Sequence, residues 1–317
     1  MQKVAFIINR TISKFVKRKN EIETVFNSTD FETKFFVSEK CRHIENLAQN
    51  ALSEGFDYLI FVGGDGTINE GLNGVMSFFK NNENEDLSAY NFEHAKKIKI
   101  GLLPYGSGND FAKTIHVSKD INQLKDKILA NKTQLVDIGF AQFLDENKKP
   151  SSRFYMNITD VGMGGIIANK IIDKNNAFNA DLIYIKAIFT TLLNYKKNKV
   201  KFTSDTETWE SNIMSLIFAN GRFFGSGLGV SPDASIQDGV LNIIKLGNIN
   251  VFDYIYHLKD LKKSKHIKHK EVSYSTAKKL KVEAIDGSEL LIDMDGEFIG
   301  QAPLEIECVP LALNFIY

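Results

Sequence analysis

The 317-residue sequence predicts an α/β domain with a mostly parallel sheet over 1–133, followed by a β-rich sandwich domain over 134–317. Three observations carry this expectation. Short apolar runs alternate with helical periodicity in the first part of the chain, which is the pattern of βαβ units. Two of those runs end in glycine-rich loops, one at 63–67 and one at 104–112, and each leads into a helical pattern. Beyond Thr133 the helices thin out and short β-like runs take over. A chain of this length can bury two cores.

Taken in order, 3–8 is an apolar run read as a first buried strand, and 9–13 is a polar loop. A helix at 15–26, a strand at 33–37, a helix at 41–52 and a strand at 57–62 follow. The segment 67–79 reads as the next helix, 81–89 as an acidic loop and 98–103 as a fourth strand. A helix through Ile115, another at 121–130 and a strand at 134–139 complete the domain. The second domain shows strand-like runs at 154–158, 200–204, 213–219, 240–245, 271–274, 279–284, 290–294 and 304–309. Helical pattern persists at 166–193 and 251–261, and the last strand is a candidate to return to the first domain.

The stretch Gly63-Gly64-Asp65-Gly66-Thr67 is a phosphate site in outline. Its glycines permit positive φ and let backbone N–H groups approach an anion. Thr67 is expected to open a helix whose N-terminal amides favour negative charge. Asp65 beside a phosphate calls for a cation or a transferable proton, so it reads as a holder of magnesium or water; a tight turn closed by an Asx hydrogen bond is the alternative. The second loop again combines glycines with a hydroxyl, Ser107, and an acid, Asp110. Asn109 or Ser107 acting as a helix N-cap is the plain alternative there. Asp137, between Val136 and Ile138, points either at solvent or inward at a site.

Apolar residues make up 43% of the chain and charged ones 25%, which suits a folded globular protein. The 39 basic and 39 acidic residues cancel, so the balance excludes nucleic acid as a bulk partner. Cys41 and Cys308 stand in no metal or redox spacing, and reduced thiols in a cytoplasmic protein are expected. The first ten residues lack signal-peptide order, and the longest apolar run, 180–193, carries Lys186 and is shorter than a bilayer span.

Together, the 63–67 loop with Asn69-Glu70, the 104–112 loop, Asp137 and the late Asp295-Gly296-Glu297 resemble the bacterial diacylglycerol kinase family of soluble lipid kinases. That family is related to sphingosine and ceramide kinases and more distantly to NAD kinases. The resemblance covers nearly the whole chain and implies an NAD-kinase-like nucleotide domain, a β-rich lipid domain and a cleft between them. It implies ATP and Mg²⁺ as cofactors, with phosphates against Gly64, Asp65, Gly66, Thr67, Ile68, Asn69 and Glu70. Asn9 and Ser13 match the family's first loop, in which Lys14 replaces a glycine. Ser38, five residues before His43, and Ser107 stand where the family has threonines that contact the nucleotide. Asp65, Asp110 and Asp137 match acids that hold magnesium, partly through water. A structural magnesium is implied at the Asp238 carboxylate and the carbonyls of Ser235 and Val240; without the resemblance, Asp238-Gly239 reads as a turn between strands. Glu297 is the favoured base for the lipid hydroxyl, with Asp295 the close alternative and Asp65 beside the reacting phosphate.

The expected activity is phosphoryl transfer from ATP to a lipid hydroxyl, foremost diacylglycerol giving phosphatidic acid. An NAD kinase, or a non-catalytic nucleotide- or lipid-binding protein of the same fold, is the competing reading. The expected partner is a lipid at the inner face of a membrane, met peripherally, and a homodimer stays open. Apolar residues of 166–193, including Ile171, Ile172, Phe178, Leu182 and Phe189, are either a lipid-cleft wall or ordinary core. The run Lys259, Lys262, Lys263, Lys265, Lys268 and Lys270 rests either on anionic headgroups or in water.

Overall fold

The structure, a computed structural model, describes residues 1–172, 188, 190, 191 and 195–317. Phe178, Leu182 and Phe189 and the side chains of Ile171 and Ile172, named above as lipid-wall candidates, lie outside the described residues. The chain divides into two compact units: Met1–Asp137 with Leu311–Tyr317, and Ile138–Pro310.

In the first unit β1 (Gln2–Ile8), β2 (Phe31–Val37), β3 (Tyr58–Gly63) and β4 (Lys99–Pro104) alternate with α1 (Phe15–Phe26), α2 (Ile44–Ser53), α3 (Asp65–Phe78) and the short α4 (Phe92–Ala95). The strands pair in parallel in the order β2-β1-β3-β4. Central β1 and β3 read almost uninterruptedly apolar, as strands covered on both faces must. Ile22 and Phe26 of α1 join Leu124 and Ile128 of α6 (Ile121–Leu129) in the core against Val4, Phe6, Ile60 and Val62. Helix α5 (Asp110–Thr114) follows β4 directly through the second glycine loop.

Two corrections concern the first glycine turn. Helix α3 begins at Asp65 with Gly64 as N-cap, two residues before the expected start at Thr67. Gly63, Gly64 and Gly66 are not among the positive-φ residues, so left-handed backbone is not why glycine stands there. Space is the reason at the first two. A Cβ on Gly63 would stand 2.2 Å from Thr67 Oγ1, and one on Gly64 would stand 2.9 Å from Gly106 Cα.

The second unit is antiparallel and β-rich. β5 (Thr133–Leu144) forms a hairpin with β6 (Pro150–Tyr155). Next come β7 (Ile158–Gly162), α7 (Met163–Ile172), β8 (Asn198–Ser204), β9 (Thr208–Ile213), β10 (Ser215–Ala219) and the two-residue β11 (Phe223–Phe224) and β12 (Leu228–Gly229). The remaining elements are β13 (Leu241–Leu246), α8 (Val251–Lys262), β14 (Val272–Ala277), β15 (Lys279–Ala284), β16 (Leu291–Met294) and β17 (Glu297–Ile316). One branch runs β14-β13-β10-β7-β16-β17, and a second runs β9-β8-β15-β17. The strand β9 escapes the sequence pattern because Thr-Trp-Glu-Ser-Asn is polar; its alternate residues face water.

Period-two alternation divides the first branch into two faces. Leu216 and Phe218 of β10, Val161 of β7 and Ile292 of β16 enter the main core, while Ile217, Ala219, Ile158 and Ile244 face the other way in a smaller apolar cluster. The β17 strand runs past Pro310 so that Asn314 and Phe315 pair in parallel with Lys99 and Ile100 of β4 in the first unit.

Candidate active site

In the first unit, the segments after β1, β2, β3 and β4 all leave from the carboxyl edge of one parallel sheet, where such sheets bind ligands. The loops after β3 and β4 touch through backbone. Gly106 N donates to Gly63 O at 3.1 Å, and a Cβ on Gly106 would stand 2.3 Å from Gly64 Cα. Because α3 starts at Asp65, the amides of Asp65, Gly66 and Thr67 are those an α-helix leaves without intrahelical partners. They supply an anion with donors at a positive helix end.

Asp65 works between the loops. Its Oδ2 accepts from Asp110 N and its Oδ1 from Phe111 N, both at 3.0 Å, so the acid of one glycine loop caps the helix that follows the other. The alternative in which an Asn109 or Ser107 side chain caps α5 does not hold, although Asn109 stands at the N-cap position. Asn109 instead takes left-handed backbone, and its side chain accepts from Gly106 N and donates to Gly106 O. Ser107 stays exposed in the loop. Burial pushes the Asp65 carboxyl above its usual range, and the Phe111 and Asp110 amides pull against that rise.

The other expected nucleotide residues divide into surface groups and internal ties. Asn9 donates from Nδ2 to Thr67 Oγ1 at 3.1 Å and accepts from Thr11, fixing the first loop on α3. Ser38 Oγ is buried and accepts from Arg10 N, while Ser13 is exposed. Lys14 has φ 56°, a left-handed position that glycine occupies without cost. Ile68 and Asn69 are buried, and Asn69 receives the Asn73 side chain. Glu70 Oε2 accepts from Ile44 N at 3.1 Å, at the start of α2.

The three acids expected to hold magnesium are not gathered as a ligand cluster. Among the described residues no group of three or more His, Cys, Asp or Glu side chains is arranged to hold a metal ion. Asp110 adjoins Asp65 and pairs with Lys113 Nζ at 2.8 Å. Asp137 is buried, and its Oδ1 accepts from Leu311 N at 2.7 Å, where the chain re-enters the first unit. Asp137 therefore points away from solvent, onto a backbone amide.

In the second unit Asp295 and Gly296, with φ 50° and 89°, form the two-residue turn between β16 and β17, and Met294 opposes Glu297. The Asp295 carboxylate accepts three amides, from Met156, Asn157 and Ile158, at 3.2, 3.2 and 2.9 Å. It is tied to backbone. Glu297 is partly exposed, with Arg153 Nη2 at 3.7 Å. Of the two candidates, Glu297 is thus the one presented to solvent. Ser235, Asp238 and Val240 lie in a surface turn before β13, where Asp238 Oδ1 accepts from Val240 N at 3.2 Å.

Two further acids escaped the sequence reading. Asp160 of β7 lies directly opposite Asp293 of β16, on the face of the sheet away from the main core that Val161 and Ile292 enter. Both are buried, and Ser215 Oγ donates to Asp160 Oδ2 at 2.8 Å. Burial pushes the Asp160 carboxyl up to about 7. Burial, then the neighbouring Asp160 charge, holds Asp293 well above the carboxylate range. The signal was present, an acid inside an apolar strand as at Asp137, but the pairing depends on strand register.

Asp160 and Ser215 line one wall of an apolar cavity of about 130 Å³ within this unit. Ile167 of α7, Ile217 and Ile244 of the sheet, and Tyr254 and Leu261 of α8 form other walls. The cavity is lined almost wholly by hydrocarbon, as a chain-binding site would be.

Residues 3–141 match the family model described as the diacylglycerol kinase catalytic domain, and residues 159–317 match the YegS C-terminal NAD kinase beta sandwich-like domain. A diacylglycerol kinase of Staphylococcus carnosus (strain TM300) is 26% identical over 306 residues, which span 96% of this chain and 91% of that one. The diacylglycerol kinase of Staphylococcus haemolyticus is 24% identical over 306 residues, 96% of this chain and 84% of the other. A crystal structure of a diacylglycerol kinase from Bacillus anthracis shares the fold with TM-score 0.68 at 19% identity, covering 100% of this chain and 97% of that one. Yeast NADH kinase, solved with NADH, is a more distant fold neighbour with TM-score 0.51 at 10% identity, covering 100% of this chain and 83% of the other. The chain belongs to the diacylglycerol kinase catalytic-domain family of lipid kinases, with the C-terminal domain of the YegS type.

Proposed function

We propose that the protein transfers the γ-phosphoryl group of ATP to the hydroxyl of a membrane lipid, with diacylglycerol as substrate and phosphatidic acid as product. The observation that carries this reading is the pairing of a built anion site in one unit with an apolar cavity in the other. An NAD kinase has no need of the latter.

In this reading the first-turn amides of α3 and the backbone of the interlocked glycine loops bind and orient the triphosphate. Asn9, Ser13, Ser38 and Ser107 stand on the loops around the nucleotide, and Asp65 keeps the two loops in register. An acyl chain enters the cavity beside Asp160 and Ser215. Glu297, partnered by Arg153, orients the acceptor hydroxyl and takes its proton as the new O–P bond forms and the bond to ADP breaks.

The donor chemistry suits magnesium. Asp65 and Asp110 are adjoining hard-oxygen donors at one point of the loops, and Mg²⁺ ordinarily keeps waters and relies on one or two carboxylates plus substrate phosphates. Asp137 would act on it only through water or through the position of Asp110. Asp238, with the carbonyls of Ser235 and Val240, offers a separate hard-oxygen set for a structural ion. Magnesium, when bound, offsets phosphate charge.

The test is a labelled-ATP assay against a panel of hydroxyl lipids and NAD, with products identified by mass. Phosphatidic acid from diacylglycerol is the expected product. Phosphorylation of NAD alone, or ATP binding with no lipid phosphorylated, would overturn the proposal.

A further inference from the structure

Helix α8 has two unlike sides. Asp253, Tyr254, His257 and Leu261 line the apolar cavity. The other side carries Phe252, Ile255 and Tyr256, which are 81%, 50% and 78% exposed, at the spacing of neighbours on one helical face. Lys259, Lys262 and Lys263 continue the same side and are exposed. Lys265, Lys268 and Lys270 follow within eight residues of the helix end, also exposed.

On the helix itself the charges are sorted by sign, and beyond it the exposed Asp233 is taken up by His266 at 2.7 Å. The helix's acids are turned to internal partners: Asp253 closes a capping box with Asn250 and lies 3.8 Å from His269, and Asp260 lies 3.5 Å from His257. No ion pair joins any of the six lysines to an acid among the described residues. Two aromatic rings and an isoleucine left in water beside unpaired cations suit a surface that is greasy below and negative above.

We propose that this face of α8 docks on an anionic lipid bilayer. Phe252, Ile255 and Tyr256 enter the boundary between headgroups and acyl chains, and the lysines from Lys259 to Lys270 meet the negative surface. The helix that walls the cavity is then the element seated in the lipid. The purpose of the docking rests on the lipid-kinase reading, but the docking itself is measured without turnover.

The test is co-sedimentation of the full chain with vesicles of phosphatidylcholine alone or with phosphatidylglycerol added. Binding is expected only with the anionic lipid, and 0.5 M salt is expected to abolish it. Each lysine removed is expected to weaken binding about fivefold, so Lys259→Gln/Lys262→Gln/Lys263→Gln together give roughly a 100-fold loss. Phe252→Ser/Tyr256→Ser is expected to lose at least about tenfold while phosphorylation of a short-chain diacylglycerol dispersed in detergent is retained. Wild-type protein that ignores anionic vesicles, or variants that sediment as wild type does, would overturn the proposal. So would a wild-type dimer that Phe252→Ser/Tyr256→Ser turns into monomer, since a second copy would then cover this face. Vesicle binding that the variants lose, in a protein that phosphorylates no lipid, upholds the docking surface and removes the kinase reading instead.

Discussion

Replacing Asp160 by Asn tests the buried acid pair beside the cavity. Asp160 is 2% exposed, faces Asp293 across β7 and β16, and has its carboxyl pushed from 3.8 up to about 7. Between those values the folded chain holds a proton that the unfolded chain has released, so stability falls as pH rises through that window. Above pH 7 the loss is complete, and at ~1.4 kcal/mol for each pH unit it amounts to something on the order of 4 kcal/mol. Asn keeps an acceptor for Ser215 and cannot ionise. Wild type and Asp160→Asn are therefore expected to unfold alike near pH 4, with the variant the more stable by a few kcal/mol at pH 8. Urea unfolding can be followed by the fluorescence of Trp209, the chain's single tryptophan, which stacks on Phe202 in the same unit at 4.7 Å. A stability difference between the two proteins that stays constant from pH 4 to 8, or a variant destabilised at pH 8, would refute the reasoning.

Asp65→Asn sets an amide donor against the N–H of Asp110 or Phe111; a loss of about 1–2 kcal/mol in urea and a sharp fall in ATP-dependent phosphorylation are expected, and wild-type values in both would contradict the clamp. Asp137→Ala removes the buried carboxylate that accepts from Leu311 N and should cost about 1–3 kcal/mol, read from the same unfolding curves; no loss would show that the amide finds another partner. Glu297→Gln is expected to cut kcat by roughly 10²–10⁴-fold with stability changed by less than about 1 kcal/mol, because the Arg153 pair is partly exposed; unchanged kcat would move the base elsewhere.

The order of strands and helices in the first unit could be read directly, because βαβ periodicity is local and each run is bounded by polar residues. The glycine loops were legible as a candidate anion site for the same reason. What Asp65 touches was not. Its partners at Asp110 and Phe111 come from another loop, and only the parallel pairing of β3 with β4 brings them within 3.0 Å. What Asp295 touches likewise depends on amides donated by 156–158, far upstream in the chain. Asp160 and Asp293 stood in plain view as acids in apolar strands, yet only the register of β7 against β16 makes them a pair.

The return of β17 to β4 bears on how the protein is made. Leu311 ties to Asp137, Phe315 packs edge-on against Phe111, and Ile316 completes the core of the first unit. A ribosome releases the first 137 residues long before it reaches Ile316, so that unit waits, one edge strand short, while the whole second unit is synthesised. During that interval β4 offers its open edge to any passing strand. A chain cut short before Leu311 would keep every loop residue assigned to the nucleotide and still lack the strand and core residues that finish the sheet beneath them.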